Sequence, residues 1–71
     1  MNIKELISQG VKLYTAGDYD GAIRGFSEVI RLMPRVAKAY YWRGIAYQTK
    51  HNDASALADY DKALDLDPRL F

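Results

Sequence analysis

The stretch Ala39-Tyr40-Tyr41-Trp42-Arg43-Gly44-Ile45-Ala46-Tyr47 determines how the chain is organised. A weaker copy precedes it by 34 residues and reads Glu5-Leu6-Ile7-Ser8-Gln9-Gly10-Val11-Lys12-Leu13. Gly10 falls on Gly44 in this alignment, and Leu6 falls on Tyr40. Self-similarity at a fixed period is the sequence signature of repeat architectures. The chain is therefore predicted to consist of two copies of one unit.

Each copy is predicted to form two amphipathic helices, because its apolar residues recur three and four positions apart and never alternate with period two. The first helix is expected from about residue 3 to 16 and the third from about 36 to 50. Asn2 and Asp18 are suited to cap helix N-termini. Pro34 and Pro68, which are 34 residues apart, stop the second and fourth helices.

Short connections of two to four residues predict that neighbouring helices lie antiparallel, as two hairpins in an all-α fold. We expect small residues to meet where the helices cross, with Gly10 facing Ala22 and Gly44 facing Ala56. Phe26 and Tyr60 are expected to fill the space between one hairpin and the next.

Length and composition restrict the class of protein. A chain of 71 residues has room for one small domain, and the absence of cysteine excludes disulfides and thiolate metal sites. A net charge of +1 argues against a polyanion-binding protein. We find no signal peptide and no apolar run that could span a membrane, so a cytoplasmic location is predicted.

The charge is distributed unevenly. Residues 1–50 hold eight basic and four acidic side chains, whereas residues 51–71 hold two basic and five acidic ones. We interpret these as solvated faces of different helices, and head-to-tail pairing of copies is the alternative.

No arrangement of residues indicates catalysis. His51, the one histidine, is expected in a turn, and Ser8, Ser27 and Ser55 lack a histidine base; Ser27 and Ser55 are predicted on the surface. Asp61 and Asp65 share a helix face but are predicted to be solvated. The sequence therefore predicts a protein that is not an enzyme, with no catalytic residues, no cofactor and no metal site.

The two copies resemble the tetratricopeptide repeat, a 34-residue unit of two helices with the pattern W-x₂-L-G-x₂-Y, A-x₃-F, A and P. The anchors of the second copy are Tyr40, Gly44, Tyr47, Ala56, Tyr60, Ala63 and Pro68. Those of the first copy are Leu6, Gly10, Leu13, Ala22, Phe26, Val29 and Pro34.

The resemblance implies one domain over residues 1–71, a short right-handed solenoid with repeats at about 3–36 and 37–70. It also implies protein binding through a concave groove that the first helix of each repeat lines. Tyr40 would pack inward, Tyr41 would face the groove and Trp42 would lie toward the neighbouring repeat or the groove edge. The implied groove residues are Lys4, Ile7, Val11, Tyr14, Lys38, Tyr41, Trp42, Ile45 and Gln48. Such a groove fits an amphipathic helix or an extended apolar segment with an acidic flank.

Three positions depart from the family pattern. Gln9 and Arg43 stand where a buried leucine is usual, and Arg43 is expected to pair with Asp59. His51 replaces the glycine of the hairpin turn, so the second turn is expected to be looser or to differ in geometry.

The number of repeats also departs from the family, because stacked repeats usually number three or more and end in a polar cap. This leads to an alternative prediction, a self-associating scaffold unit, a fragment or an engineered minimal repeat whose open ends stack on other copies. The residues predicted for self-association are Leu57, Tyr60, Leu64, Leu70 and Phe71. RNA binding, the third hypothesis, is disfavoured because two repeats would contact very few bases.

Overall fold

The computed structural model describes residues 2–70, which contain four α-helices and no strand. The helices are α1 (Ile3–Thr15), α2 (Tyr19–Leu32), α3 (Ala37–Thr49) and α4 (Asp53–Leu66). The predicted all-α fold with two helical hairpins is confirmed. Helix α1 ends one residue earlier than predicted, and α3 is one residue shorter at each end.

Side-chain caps fix the start of three helices. The Asn2 side chain accepts a hydrogen bond from the Lys4 backbone at 2.9 Å, and Asp18 accepts one from Gly21 at 2.9 Å. Asn52 caps α4 in the same way. These carbonyl and carboxylate oxygens satisfy backbone N–H groups that have no partner within the helix, so the predicted caps at Asn2 and Asp18 are confirmed.

The two hairpin turns have the same geometry. Gly17 and His51 both adopt a left-handed backbone, with φ of 88° and 64°. The next amide donates back into the preceding helix at 2.9 Å in each turn, from Asp18 to Leu13 and from Asn52 to Tyr47. Of the two alternatives expected at His51, a different geometry is therefore wrong, because histidine accepts the conformation that glycine adopts freely, at a cost in backbone strain. A looser second turn stays a prediction.

Each helix packs on the next along the chain, α1 on α2, α2 on α3 and α3 on α4, while α1 and α3 touch only lightly. The core lies between these consecutive helices. Its apolar members, all buried, are Ala22, Phe26 and Val29 of α2, Ala39, Tyr40 and Ala46 of α3, and Ala56 and Ala63 of α4.

Aromatic rings lie directly over the two glycines of the family pattern. A Cβ atom placed on Gly10 would lie 2.5 Å from the Phe26 ring, and one on Gly44 would lie 2.8 Å from the Tyr60 ring. The carbonyl oxygen of Ala56 is 3.2 Å from that second position. The atoms nearest to the position of a Gly10 side chain are therefore those of Phe26, because a ring needs the space that a missing side chain leaves.

Candidate functional site

Two stripes of side chains with identical spacing run along the first helix of each hairpin. They are Lys4, Ile7, Val11 and Tyr14 on α1, and Lys38, Tyr41, Ile45 and Gln48 on α3. Steps of three and four residues place each stripe on one side of its helix. The apolar and aromatic members are partly buried, whereas the two lysines and Gln48 are exposed. We call this surface the α1–α3 face.

A hydrogen bond joins the two helices of this face. The Tyr14 hydroxyl and the Thr49 hydroxyl lie 2.9 Å apart, and Thr49 donates to the Ile45 carbonyl at 2.9 Å. The Tyr14 ring also lies 5.3 Å from that of Tyr19. The C-terminal ends of α1 and α3 are thus held side by side, a contact that the sequence pattern did not predict.

Trp42 packs between the hairpins. Its ring stacks on Phe26 at 6.4 Å with an angle of 21° between the planes, and it meets the edge of Tyr14 at 6.2 Å. The prediction that Trp42 lies toward the neighbouring repeat is confirmed. Tyr40 is buried and its hydroxyl donates to the Pro34 carbonyl at 3.0 Å, which confirms its predicted inward packing.

A second surface, which we call the α4 face, consists of Leu57, Tyr60, Asp61 and Leu64. Leu57 is 61% exposed and Leu64 is 40% exposed. Beside them, the Tyr60 hydroxyl donates to the Gln48 side chain at 2.8 Å, and its ring lies 6.0 Å from that of Tyr41. Burial raises the pKa of Tyr60 above its ordinary value, with a further contribution from Tyr41 and Tyr14.

The predicted self-association residues lie partly on this face. Leu57, Tyr60 and Leu64 share one side of α4. Leu57 and Tyr60 also line an open depression, together with Gln48, Asp53 and Ala56. Leu70 is partly buried beyond the helix. Phe71 lies outside the described residues.

A largely buried ion pair connects α3 to α4. Arg43 donates two hydrogen bonds of 2.8 Å to the Asp59 carboxylate and one of 3.2 Å to the Ser27 hydroxyl on α2. The hydrogen bond to Asp59 raises the pKa of Arg43. The predicted Arg43–Asp59 pair is confirmed. Ser27 and Ser55, which were predicted on the surface, are both partly buried.

A second ion pair joins the hairpins at the surface, between Lys50 after α3 and Asp20 in α2. The hydrogen bond from Lys50, followed by its charge, lowers the pKa of Asp20. No pattern in the sequence predicts this contact, because the two residues follow no shared period.

Residues 2–70 form neither a metal-binding cluster nor a helix that could span a membrane. Within that range, no three His, Cys, Asp or Glu side chains are grouped so that they could hold a metal ion. None of the four helices combines the length and apolar character that crossing a bilayer requires.

Comparison with known families agrees with this geometry. A family model described as TPR repeat matches residues 10–50, and one described as Tetratricopeptide repeat matches residues 37–70. The chain belongs to the tetratricopeptide repeat family. Repeats of this family are in general protein-interaction modules and not enzymes.

Two curated relatives are similar to most of the chain. It is similar to human Tetratricopeptide repeat protein 36, with 38% identity over 63 residues, which are 89% of this chain and 33% of that protein. It is also similar to bovine Aryl-hydrocarbon-interacting protein-like 1, with 36% identity over 53 residues, 75% of this chain and 16% of that protein. The chain thus spans a third or less of the length of these relatives.

Proposed function

We propose that the chain is a non-enzymatic module that binds a peptide or helix of another protein through the α1–α3 face. The observation that carries this proposal is the pair of matching stripes, which are in register after a shift of 34 residues. Ile7, Val11 and Ile45 offer partly exposed aliphatic surface, and Tyr14 and Tyr41 on the same stripes are partly exposed as well. Apolar side chains on such a surface contribute binding energy when a partner removes them from water.

The charges at one end of the face indicate the flank of the ligand. Lys4 and Lys38 occupy equivalent positions in the first turns of α1 and α3, and both are exposed. An acidic residue near one end of the bound segment would pair with them and raise the rate of association more than the affinity. The proposed ligand is an amphipathic helix or an extended apolar segment with an acidic flank.

Selection from a displayed peptide library tests this proposal. Selected peptides should be apolar and aromatic with an acidic end, and the variant Tyr41→Ala with Ile45→Ala should abolish their binding without loss of helical circular dichroism. Ala58→Glu on the exposed side of α4 is the control and should leave the affinity unchanged. Peptides that bind the double variant as tightly as the parent chain would refute the proposal.

Self-association through the α4 face is the alternative that the sequence predicted, and it rests on the exposure of Leu57 and Leu64 alone. Light scattering over a range of concentrations measures it directly, and a monomer at the highest concentration would exclude it.

Two further predictions stay proposals: that residues 1–71 form one domain, and that the protein is cytoplasmic. One cooperative unfolding transition and the distribution of a fluorescent fusion in cells would test them.

A further inference from the structure

The 34-residue repeat gives the α4 face an internal counterpart on α2. Leu57, Tyr60, Asp61 and Leu64 correspond to Ile23, Phe26, Ser27 and Ile30. On α2 two members of this set contact α3, since Trp42 stacks on Phe26 and Arg43 donates to Ser27. Phe26 is fully buried, and its three neighbours are partly buried. The molecule therefore contains an example of what a hairpin packs against this side of its second helix.

The covering helix has a defined chemistry. At positions three, four and seven residues apart, α3 presents Ala39, Trp42, Arg43 and Ala46 on one side. The two alanines are fully buried, Trp42 stacks on Phe26 and Arg43 donates to Ser27. Small residues at both ends let the two helices approach closely, and the aromatic and basic residues between them provide the specific contacts.

A second copy of this chain does not present that chemistry on α1. The α1 residues at the corresponding positions are Glu5, Ser8, Gln9 and Lys12, all exposed. Stacking α1 on the α4 face would bury a carboxylate and an ammonium where the two alanines belong, and unpaired buried charges are strongly unfavourable.

Pairing of two α4 faces is disfavoured by charge. Asp61 lies within the face and Asp65 borders it, so a symmetric pair would bring four carboxylates into one interface. Like charges placed opposite one another in an interface are repulsive. The same carboxylates attract a basic partner, and Asp61 occupies the position at which Ser27 receives Arg43.

We propose that the α4 face binds a basic amphipathic helix of a partner protein. That helix carries two small residues seven positions apart, with an aromatic residue and an arginine or lysine between them. The small residues lie against Leu57 and Leu64, the aromatic ring stacks on Tyr60, and the basic side chain pairs with Asp61.

A synthetic peptide with the sequence of residues 36–50, acetylated and amidated, is the probe, because it carries this pattern and three basic side chains. Added to the isotope-labelled full chain, it should shift the methyl resonances of Leu57 and Leu64 in a saturable way. Leu57→Glu should weaken binding about tenfold or more, since one buried leucine contributes roughly that factor. Ala58→Glu, which makes the same change of charge at the next residue, should have little effect, and a scrambled peptide should not bind.

A double-mutant cycle tests the charge pairing. Arg43→Gln in the peptide and Asp61→Asn in the chain should each weaken binding roughly two- to fivefold, and together no more than the stronger of the two. Three results would overturn the proposal: no saturable shift at millimolar peptide, shifts confined to Ile7, Val11 and Ile45, or equal affinity for the parent chain and Leu57→Glu. Concentration-dependent shifts at Leu57 without peptide, together with a doubled mass, would assign the face to a second copy instead.

Discussion

The first and second hairpins have helices of equal length and turns of the same geometry but are stabilised differently. In the first hairpin, Phe26 covers Gly10 and is itself covered by Trp42 of α3, so the ring is fully buried. In the second, Tyr60 covers Gly44 in the same way but stays partly exposed and donates its hydroxyl to a neighbouring side chain. Burial at this position is thus decided by the neighbouring hairpin and not by the hairpin itself.

The two hairpins also differ at the residues that precede these glycines and rings in the sequence. The first has Gln9 with Gly25, and a Cβ atom placed on Gly25 would lie 3.8 Å from the Cα atom of Gly10. The second has Arg43 with Asp59 at the equivalent positions, joined by two hydrogen bonds. One hairpin uses close backbone contact where the other uses an ion pair. The shared fold therefore tolerates either solution.

Truncating the two equivalent rings should give the largest contrast. Phe26→Ala leaves a cavity in the core and should cost about 3–5 kcal/mol in the free energy of unfolding. Tyr60→Ala removes a ring that is already partly in water and should cost about 1–2 kcal/mol. Urea unfolding followed by circular dichroism measures both. Equal losses would mean that the neighbouring hairpin contributes nothing to the first position.

Breaking the ion pair of the second hairpin should cause the next largest loss in the free energy of unfolding. Asp59→Ala leaves the guanidinium of Arg43, whose side chain is only 21% exposed, without its partner and should cost about 3 kcal/mol. Adding Arg43→Leu, which restores the aliphatic residue usual in this family, should recover at least about 1 kcal/mol because no uncompensated charge remains. If the double variant is less stable than Asp59→Ala alone, the pair is not the main source of the loss.

The helical positions of the chain were predictable because they depend on spacing along the sequence. The 34-residue period, the caps at Asn2 and Asp18 and the stops at Pro34 and Pro68 locate all four helices. The Arg43–Asp59 pair could also be predicted, since Arg43 departs from the family pattern and Asp59 is an acidic residue on the helix that pairs with α3.

Contacts between helices were harder to predict from the sequence. The pairs Tyr14–Thr49, Ser27–Arg43 and Asp20–Lys50 depend on how the helices cross, and no period in the sequence relates their members. For the candidate site, the pattern places side chains on α1 and α3. Their exposure, however, follows from packing on neighbours, as with Trp42, which stacks between the hairpins.

Exchanging the residues of the two turns should give a smaller effect. His51→Gly removes the strain of a left-handed histidine and should stabilise the chain by about 1 kcal/mol, whereas Gly17→His should destabilise it by about the same amount. Thermal and urea unfolding of the two variants and of the parent chain measure this. If His51→Gly is no more stable than the parent, the turn does not strain the second hairpin.

The smallest expected effect is the alkaline pH dependence of Tyr60. Burial raises the pKa of its hydroxyl above the ordinary value of 10.0, so the folded chain still holds this proton where the unfolded chain has lost it. The free energy of unfolding should therefore fall as the pH rises above about 10, and this contribution is fully present at lower pH. Tyr60→Phe should remove this part of the slope, because Phe26 shows that the position accepts a ring without a hydroxyl. A difference in stability between parent and variant that stays constant from about pH 8 to 11 would contradict the assignment.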